Sequence, residues 1–242
     1  MNSISIIIPA YNESKRILPT LEGLVDFFSG FMSKYEIIVV DDGSTDGTSE
    51  LVKEFASKIS VNISVLSLDL NCGKGMAVKR GVEKAENDIV FFIDADQSYG
   101  PENIACAVKE FEDPAISMLI GDRNLKDSRI INPPPMLRAI SGKIYSLLVQ
   151  SLVLPGITDS QCGFKAFRRE CAVNIFKRVT IFRFGFDVEV LYIAKKLGYK
   201  IKKMPITCRN TIESRVRLVN DSLRMFSDLF TIRANDKKGL YL

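Results

Sequence analysis

Apolar and polar positions follow two patterns that take turns along the chain. Compact runs rich in Ile, Val and Phe cover residues 3–8, 36–40, 63–68, 88–93 and 116–120, and each reads as a strand. Between them the apolar residues return every three or four positions, as on one face of a helix. The clearest case is the stretch 14–31, with Ile17, Leu21, Leu24, Val25 and Phe28 on one side. Further helices are expected up to about Ser57 after a cap at Thr45 or Asp46, from Gly75 to near Ala85, and after Pro101, which suits a first turn. The first strand is expected to stop at Pro9. Strands alternating with helices predict βαβ units, hence an α/β fold around a mostly parallel central sheet.

The later chain reads less regularly. Asn132-Pro133-Pro134-Pro135 must be extended or turned. A helix is expected over 136–153, a loop over 154–163, a strand-like piece over 165–167, a helix over 186–197, a late strand over 199–206 and a terminal helix over 215–232. Two of these helices carry apolar stripes. One has Leu137, Ile140, Ile144, Leu147, Leu148 and Leu152, flanked by Arg138 and Lys143. The other has Val216, Val219, Leu223, Phe226 and Phe230, flanked by Arg215, Arg217, Arg224 and Arg233. Each stripe is expected to pack on the sheet or on a partner subunit; the alternative is a helix lying in a membrane interface. No linker, repeat or low-complexity tract divides the chain, so one domain is expected.

Composition narrows the chemistry. The chain has 242 residues, 46% hydrophobic and 26% charged, which suits a globular core. No apolar run reaches the roughly 18–20 residues that span a bilayer, and the N-terminus has no signal-peptide pattern. Five cysteines without a C-x-x-C pair point to a reduced, cytoplasmic setting, with peripheral contact on the cytoplasmic face of a membrane left open. The absence of histidine excludes His-based triads and His metal ligands, so carboxylates must do acid–base work and any metal is a hard, oxygen-bound ion. The net charge of +4 is unevenly spread. Residues 1–160 carry 15 basic and 22 acidic side chains, a net of −7, whereas residues 161–242 carry 18 and 7, a net of +11. The second part is suited to an anionic partner. Nucleic acid is disfavoured, because no basic module interleaved with aromatics is visible.

Polar residues gather where strands end, which is where open α/β sheets bind ligands. Asp94-Ala95-Asp96 closes the fourth strand. Ionised acids at a buried strand end require cations or donors, so a divalent ion holding nucleotide phosphates is expected there. The plain alternative is a turn cap at Asp94 and a solvated Asp96. After the first strand, Tyr11 offers a stacking face and Glu13 an acceptor for hydroxyls. After the second, Asp41 is the choice for a base or ribose contact, with Asp42 left to capping. Gly73 and Lys74 open a helix and can face phosphate with backbone N–H groups and an ammonium. Arg123 after the fifth strand is a phosphate candidate, or a surface salt bridge.

Ile6 to Glu13, Val39 to Thr48, Asn71 to Gly75 and Asp94-Ala95-Asp96 together resemble the family 2 glycosyltransferases of the GT-A fold. Asp159-Ser160-Gln161-Cys162-Gly163-Phe164-Lys165 and the run from Phe184 to Glu189 are similar to the dolichyl-phosphate β-glucosyltransferase branch. The resemblance covers residues 4 to about 235. It implies a nucleotide-sugar-binding part over 1–125, an acceptor-binding part over 126–242, and inverting transfer of a hexose, expected to be glucose from UDP-glucose, with Mg²⁺ or Mn²⁺. Carried over by position, Pro9, Tyr11, Glu13, Asp41, Gly73, Lys74 and Asp94 bind the nucleotide, while Asp94 and Asp96 hold the metal. Asp159 and Asp96 are the catalytic positions, with Asp159 the candidate base. Arg123, Lys165 and Arg215 face phosphate or acceptor. The chain departs from the pattern in two respects: Cys208 and Arg209 stand where relatives often have Trp, and transmembrane helices common among relatives are not visible.

The implied acceptor is a polyprenyl or dolichyl phosphate, with a sugar hydroxyl of a cell-envelope glycan as the alternative. A homo-oligomer is compatible with either. A hydroxyl acceptor needs a base; a lipid phosphate is already anionic and needs cations more than deprotonation. Nucleotidyl transfer is less well matched, since it wants a Gly-rich basic loop after the first strand. A catalytically inert nucleotide-sugar binder is the reading from outside enzymology.

Overall fold

A computed structural model describes residues 3–30, 34–210 and 218–242. In chain order the elements are β1 (Ile4–Ala10), α1 (Ile17–Ser29), β2 (Tyr35–Asp41), α2 (Thr48–Ser57), β3 (Ile63–Ser67), α3 (Lys74–Lys84), β4 (Ile89–Phe92), α4 (Pro101–Glu110) and β5 (Met118–Gly121). There follow β6 (Arg129–Ile131), α5 (Met136–Leu152), β7 (Lys165–Arg168), α6 (Arg169–Arg178), α7 (Phe186–Lys196), β8 (Ile201–Met204), β9 (Thr207–Arg209) and α8 (Leu218–Lys237).

Seven strands form one sheet in the order β3-β2-β1-β4-β7-β5-β8. All neighbours are parallel except β7, which runs antiparallel to both β4 and β5. The β1–β2 register runs from Ile4 opposite Tyr35 to Ala10 opposite Asp41, so these two strands end together. β4 ends beside them, with Phe92 opposite Ile7. Because β7 is reversed, it starts at that same edge: Lys165 lies opposite Phe92 and Ile120. One edge of the sheet therefore collects the exits of the six co-directional strands and the segment that enters β7.

Both faces of the sheet are covered, and side chains alternate between two apolar layers. Ile7, Ile38, Val40, Val90 and Phe92 point to one layer with α3, α6 and α7. Ile6, Ile8, Ile37, Val39, Ile89 and Phe91 point to the other, with Ile17, Leu21, Leu24 and Phe28 of α1. This two-sided burial explains why the strands read as continuous apolar runs instead of alternating ones.

The structure departs from the expected elements at several points. Pro9 does not stop β1; it pairs with Val40 inside the strand. The Ile7 carbonyl accepts from Ile93 N, so the backbone of Pro9, two residues on, faces the same side. The β1–β4 pairing ends at Ile7, so the N–H that proline lacks is not needed there. The late strand shortens to β8, and β9, beyond the expected stretch, pairs with β6 in a small separate sheet. α6 lies in a stretch given no element from sequence, and buries Cys171, Ala172, Ile175 and Phe176. Two amphipathic faces also differ. Most of the α5 stripe points to solvent, Leu148 packs against the core, and Val149 is the buried residue of that helix. In α8, Leu229 and Ile232 are buried whereas Phe226 and Phe230 are exposed.

Candidate active site

The loops at the shared edge are tied to one another through polar side chains. Asn12, in a left-handed conformation at φ 53°, accepts from Thr45 N at 2.8 Å, and its own N–H donates to Ser44 Oγ. Asp46 accepts from Ser14 N and from Thr48 N, both at 3.1 Å. Burial pushes its carboxyl up a little, but the side-chain bonds from Thr48 and Ser14, with these backbone bonds, outweigh it and hold the carboxyl down at about 2. Asp41, at the end of β2, accepts from Ser44 N. Glu13 N donates to Thr48 Oγ1, while the Glu13 carboxylate is clasped by the Arg16 guanidinium at 2.7 and 2.8 Å. The β1 and β2 exits thus form one rigid floor with Tyr11 exposed beside it.

The entry to α3 is arranged differently from expectation. The Asp42 carboxylate accepts from Cys72 N and Gly73 N, each at 2.8 Å, and from Asn71 Nδ2 at 3.0 Å. Burial raises its pKa in spite of these donors. Gly75 N donates to the Phe182 carbonyl. The Gly73 N–H assigned above to phosphate is therefore occupied by Asp42. Gly73 has φ 102°, and a Cβ there would sit 2.4 Å from the Phe182 oxygen, so only glycine fits. Asp42 is the clamp of this loop, a role sequence reasoning left at turn capping.

Lys74 is turned inward to the acidic pair. Its ammonium meets Asp94 Oδ1 at 2.5 Å. Burial works against its charge, and Asp94, Asp187 and Asp96 outweigh that, so it stays protonated well above the usual lysine range. The other Asp94 oxygen rests on Gly163: a Cβ at that position would lie 2.0 Å from Oδ2. Asp96 accepts from Ser98 N. The carbonyl between them, on Ala95, accepts from Thr20 Oγ1 of α1.

The segment entering β7 forms the opposite wall. Asp159 is buried and receives the Arg123 guanidinium in two bonds, Nε at 2.7 Å and Nη2 at 2.8 Å, together with Arg123 N at 3.0 Å. Burial pushes the Asp159 carboxyl up, but Arg123 prevails and holds it below the ordinary range. The candidate base and the candidate phosphate ligand are thus partners in one ion pair. Lys165 is fully buried and donates to Asp187 Oδ1 at 2.5 Å and to the Cys162 carbonyl at 2.7 Å, so it braces the wall from behind and presents no ammonium to an acceptor. Tyr99 was not anticipated: its hydroxyl accepts from Gly163 N at 2.9 Å. A buried tyrosine just past a strand's acidic end is the signal that could have shown it. Arg215 lies outside the described residues.

Among the described residues no group of three acidic, Cys or His side chains gathers around one point. Two carboxylates nonetheless suit Mg²⁺ or Mn²⁺, which commonly take one or two protein carboxylates and complete their shell with substrate phosphate and water. The donors at Asp94 and Asp96 are hard oxygens, as such ions require, and an ion there would share the Asp94 carboxylate with the Lys74 ammonium.

Comparison with known proteins identifies the family. The sequence model of Glycosyl transferase family 2 matches residues 5–176. A dolichyl-phosphate β-glucosyltransferase of Dictyostelium discoideum is 35% identical over 98% of this chain and 76% of its own length. The proteins of that name from Homo sapiens and Saccharomyces cerevisiae are each 30% identical over 98% of this chain, covering 77% and 76% of theirs. Among solved structures, glucosyl-3-phosphoglycerate synthase from Mycobacterium tuberculosis with Mn²⁺, UDP and glucosyl-3-phosphoglycerate superposes with a TM-score of 0.71 at 22% identity, over 96% of this chain and 80% of that one. Mannosyl-3-phosphoglycerate synthase from Rubrobacter xylanophilus gives 0.71 at 18% identity, over 98% and 75%. The fold is that of the GT-A glycosyltransferases. The chain is a glycosyltransferase and belongs to Glycosyl transferase family 2, among the relatives of the dolichyl-phosphate β-glucosyltransferases.

Proposed function

We propose that this chain transfers glucose from UDP-glucose to the phosphate of a polyprenyl lipid, with Mg²⁺ or Mn²⁺ at Asp94 and Asp96. The observation that carries the reading is the opposition of two walls at one sheet edge. Acids leave β1, β2 and β4 on one side, and the Arg123–Asp159 pair stands on the other.

The donor side binds and orients. Tyr11 presents a ring for a base, and Asp41, at the end of β2, is held in place by Ser44 N for a base or ribose contact. When bound at Asp94 and Asp96, the divalent ion neutralises charge on the diphosphate as it leaves. Lys74 contributes a second, permanent positive charge beside the same carboxylates. The acceptor side selects for an anion. Asp159, already bonded to a guanidinium and held below its ordinary pKa, is a weak proton acceptor, so a hydroxyl acceptor is poorly served. A phosphate oxygen is nucleophilic without losing a proton at neutral pH, and Arg123 with the basic later part of the chain can position it. Asp159 then acts by aiming Arg123. This favours the lipid phosphate over the glycan hydroxyl.

The reading is tested by thermal shift with a panel of nucleotide sugars, with and without Mn²⁺. UDP-hexoses with Mn²⁺ are expected to raise the melting temperature, and Asp96→Ala to lose the metal-dependent part. No shift with any UDP-sugar would contradict the donor assignment.

A further inference from the structure

We propose that the outer face of α5 is a docking surface for an anionic lipid bilayer, set beside the acceptor wall. The proposal rests on the lipid-phosphate reading for its purpose, but its geometry stands apart from it.

α5 faces outward with its apolar side. Leu137, Ile140, Ile144 and Leu147 follow the i, i+3, i+4 rule of a single stripe, and they are 70%, 48%, 54% and 66% exposed. The opposite face holds Tyr145, Ser146 and Val149. Val149 is fully buried and Tyr145 packs against the core. Ser146 Oγ donates to the Thr158 carbonyl at 2.7 Å, which fixes α5 one residue from Asp159. A helix packed only for stability would turn its leucines and isoleucines inward. Here the packing face is the more polar one, and a contiguous apolar strip is left in water, where solvent-facing patches of this kind mark an interaction site. Ahead of α5 in the chain, Ile130 and Ile131 of β6 are also exposed, at 40% and 42%.

Charge decides the occupant. From 128 to 158 the chain has no acidic residue, and it carries Arg129, Arg138 and Lys143. Lys143 is exposed at the border of the stripe. An apolar strip in a stretch that carries cations and no acid complements acyl chains beneath anionic headgroups. A twofold dimer through the same face would place like charges together, which disfavours a second copy. A bilayer seated on α5 would bring the lipid phosphate to the wall that holds Arg123 and Asp159. The insertion is in the plane of the interface: among the described residues no helix is long and apolar enough to cross a membrane.

The test is co-sedimentation of the whole chain with vesicles of phosphatidylcholine alone and of phosphatidylcholine with phosphatidylserine, with no donor or acceptor present. Binding is expected to the anionic vesicles and to weaken with salt. The triple variant Leu137→Glu/Ile144→Glu/Leu147→Glu is expected to lower the bound fraction by about tenfold or more, with an unchanged melting curve, because the altered side chains are already in water. Lys143→Glu alone is expected to remove part of the salt-sensitive binding. Wild-type protein that stays in the supernatant with both vesicles overturns the proposal, as does a triple variant that pellets like the wild type. A wild-type dimer by light scattering that the triple variant dissociates, without vesicle binding, assigns the face to a second copy and also overturns it. Transfer to polyprenyl phosphate in detergent tests the function reading separately, so the two failures are distinguishable.

Discussion

At Gly163 the site leaves no room for a side chain. The Asp94 carboxylate occupies the volume a Cβ would take, with Oδ2 2.0 Å from it. Gly163→Ala must therefore push Asp94 aside, and the rigid backbone offers no escape on the other side, where Gly163 N is bonded to Tyr99. The expected outcome is a loss of the Mn²⁺-dependent thermal shift with UDP, out of proportion to any fall in the melting temperature of the free protein. A second prediction concerns the acceptor wall. Asp159→Asn leaves the Arg123 guanidinium without its anion in a mostly dry place, and is expected to lower unfolding free energy by about 3 kcal/mol, read from urea denaturation. Arg123→Met in the same background should restore part of that loss, because it is the unpaired charge that is costly. The pair also sets an acid limit. Asp159 has a lowered pKa in the fold, so its contribution is fully present above the ordinary carboxylate range and disappears as pH falls through the lowered value. Asp46 adds in the same sense, with its contribution lost as pH falls through about 2. Unfolding free energy from urea denaturation should fall as pH is lowered from the ordinary carboxylate range towards 2, and fall less in Asp159→Asn. Asp94 and Asp96 were legible in the sequence because charge at buried strand ends needs a reason, and Asp159 because its motif resembles one of the family. Their partners were not. Which cation meets which acid depends on how loops far apart in sequence come together, as with Lys74 and Asp94.

At the level of elements, the reversed strand β7 explains most of what the sequence concealed. Lys165 and Gly163 read as parts of one motif, and a parallel β7 would have carried that motif to the far edge. Run antiparallel between β4 and β5, it places Gly163 under Asp94 and buries Lys165 against Asp187. Short strands carry no mark of their direction in their own residues, so the phosphate role expected of Lys165 could not be checked from sequence. Lys165→Met is accordingly expected to act as a folding defect. It leaves Asp187 buried without its cation, and should reduce stability and activity together, not raise the acceptor KM alone. The entry to α3 makes a comparable case. Its glycines signalled a special loop, and the loop is special because Asp42 holds it. Asp42→Ala removes two charged bonds to backbone N–H groups and is expected to cost about 3 kcal/mol in the same urea experiment. The βαβ alternation was legible because both sheet faces are buried and the helices between carry clear stripes. α6, β6 and β9 were missed because they are short and take their form from tertiary contacts.

For the molecule as a whole, the uneven charge seen in the sequence acquires a layout. The acidic first part supplies the floor and the Asp94–Asp96 pair, and its cation-bearing, acid-free stretch 128–158 supplies the outward face of α5. The strands that leave the sheet with acids and the reversed strand that enters it with Gly163 meet at one edge, which is the place where a sugar diphosphate and a phosphate can face each other. The central claim is that this edge moves glucose from UDP to a lipid phosphate. The most direct measurement incubates the chain with UDP-[¹⁴C]glucose, Mn²⁺ and a polyprenyl phosphate in detergent, and partitions the products between organic solvent and water. The account predicts label in the organic phase, dependent on metal and abolished by Asp96→Ala. Label confined to the aqueous phase with active, folded protein, or organic-phase label undiminished in Asp96→Ala, would contradict it.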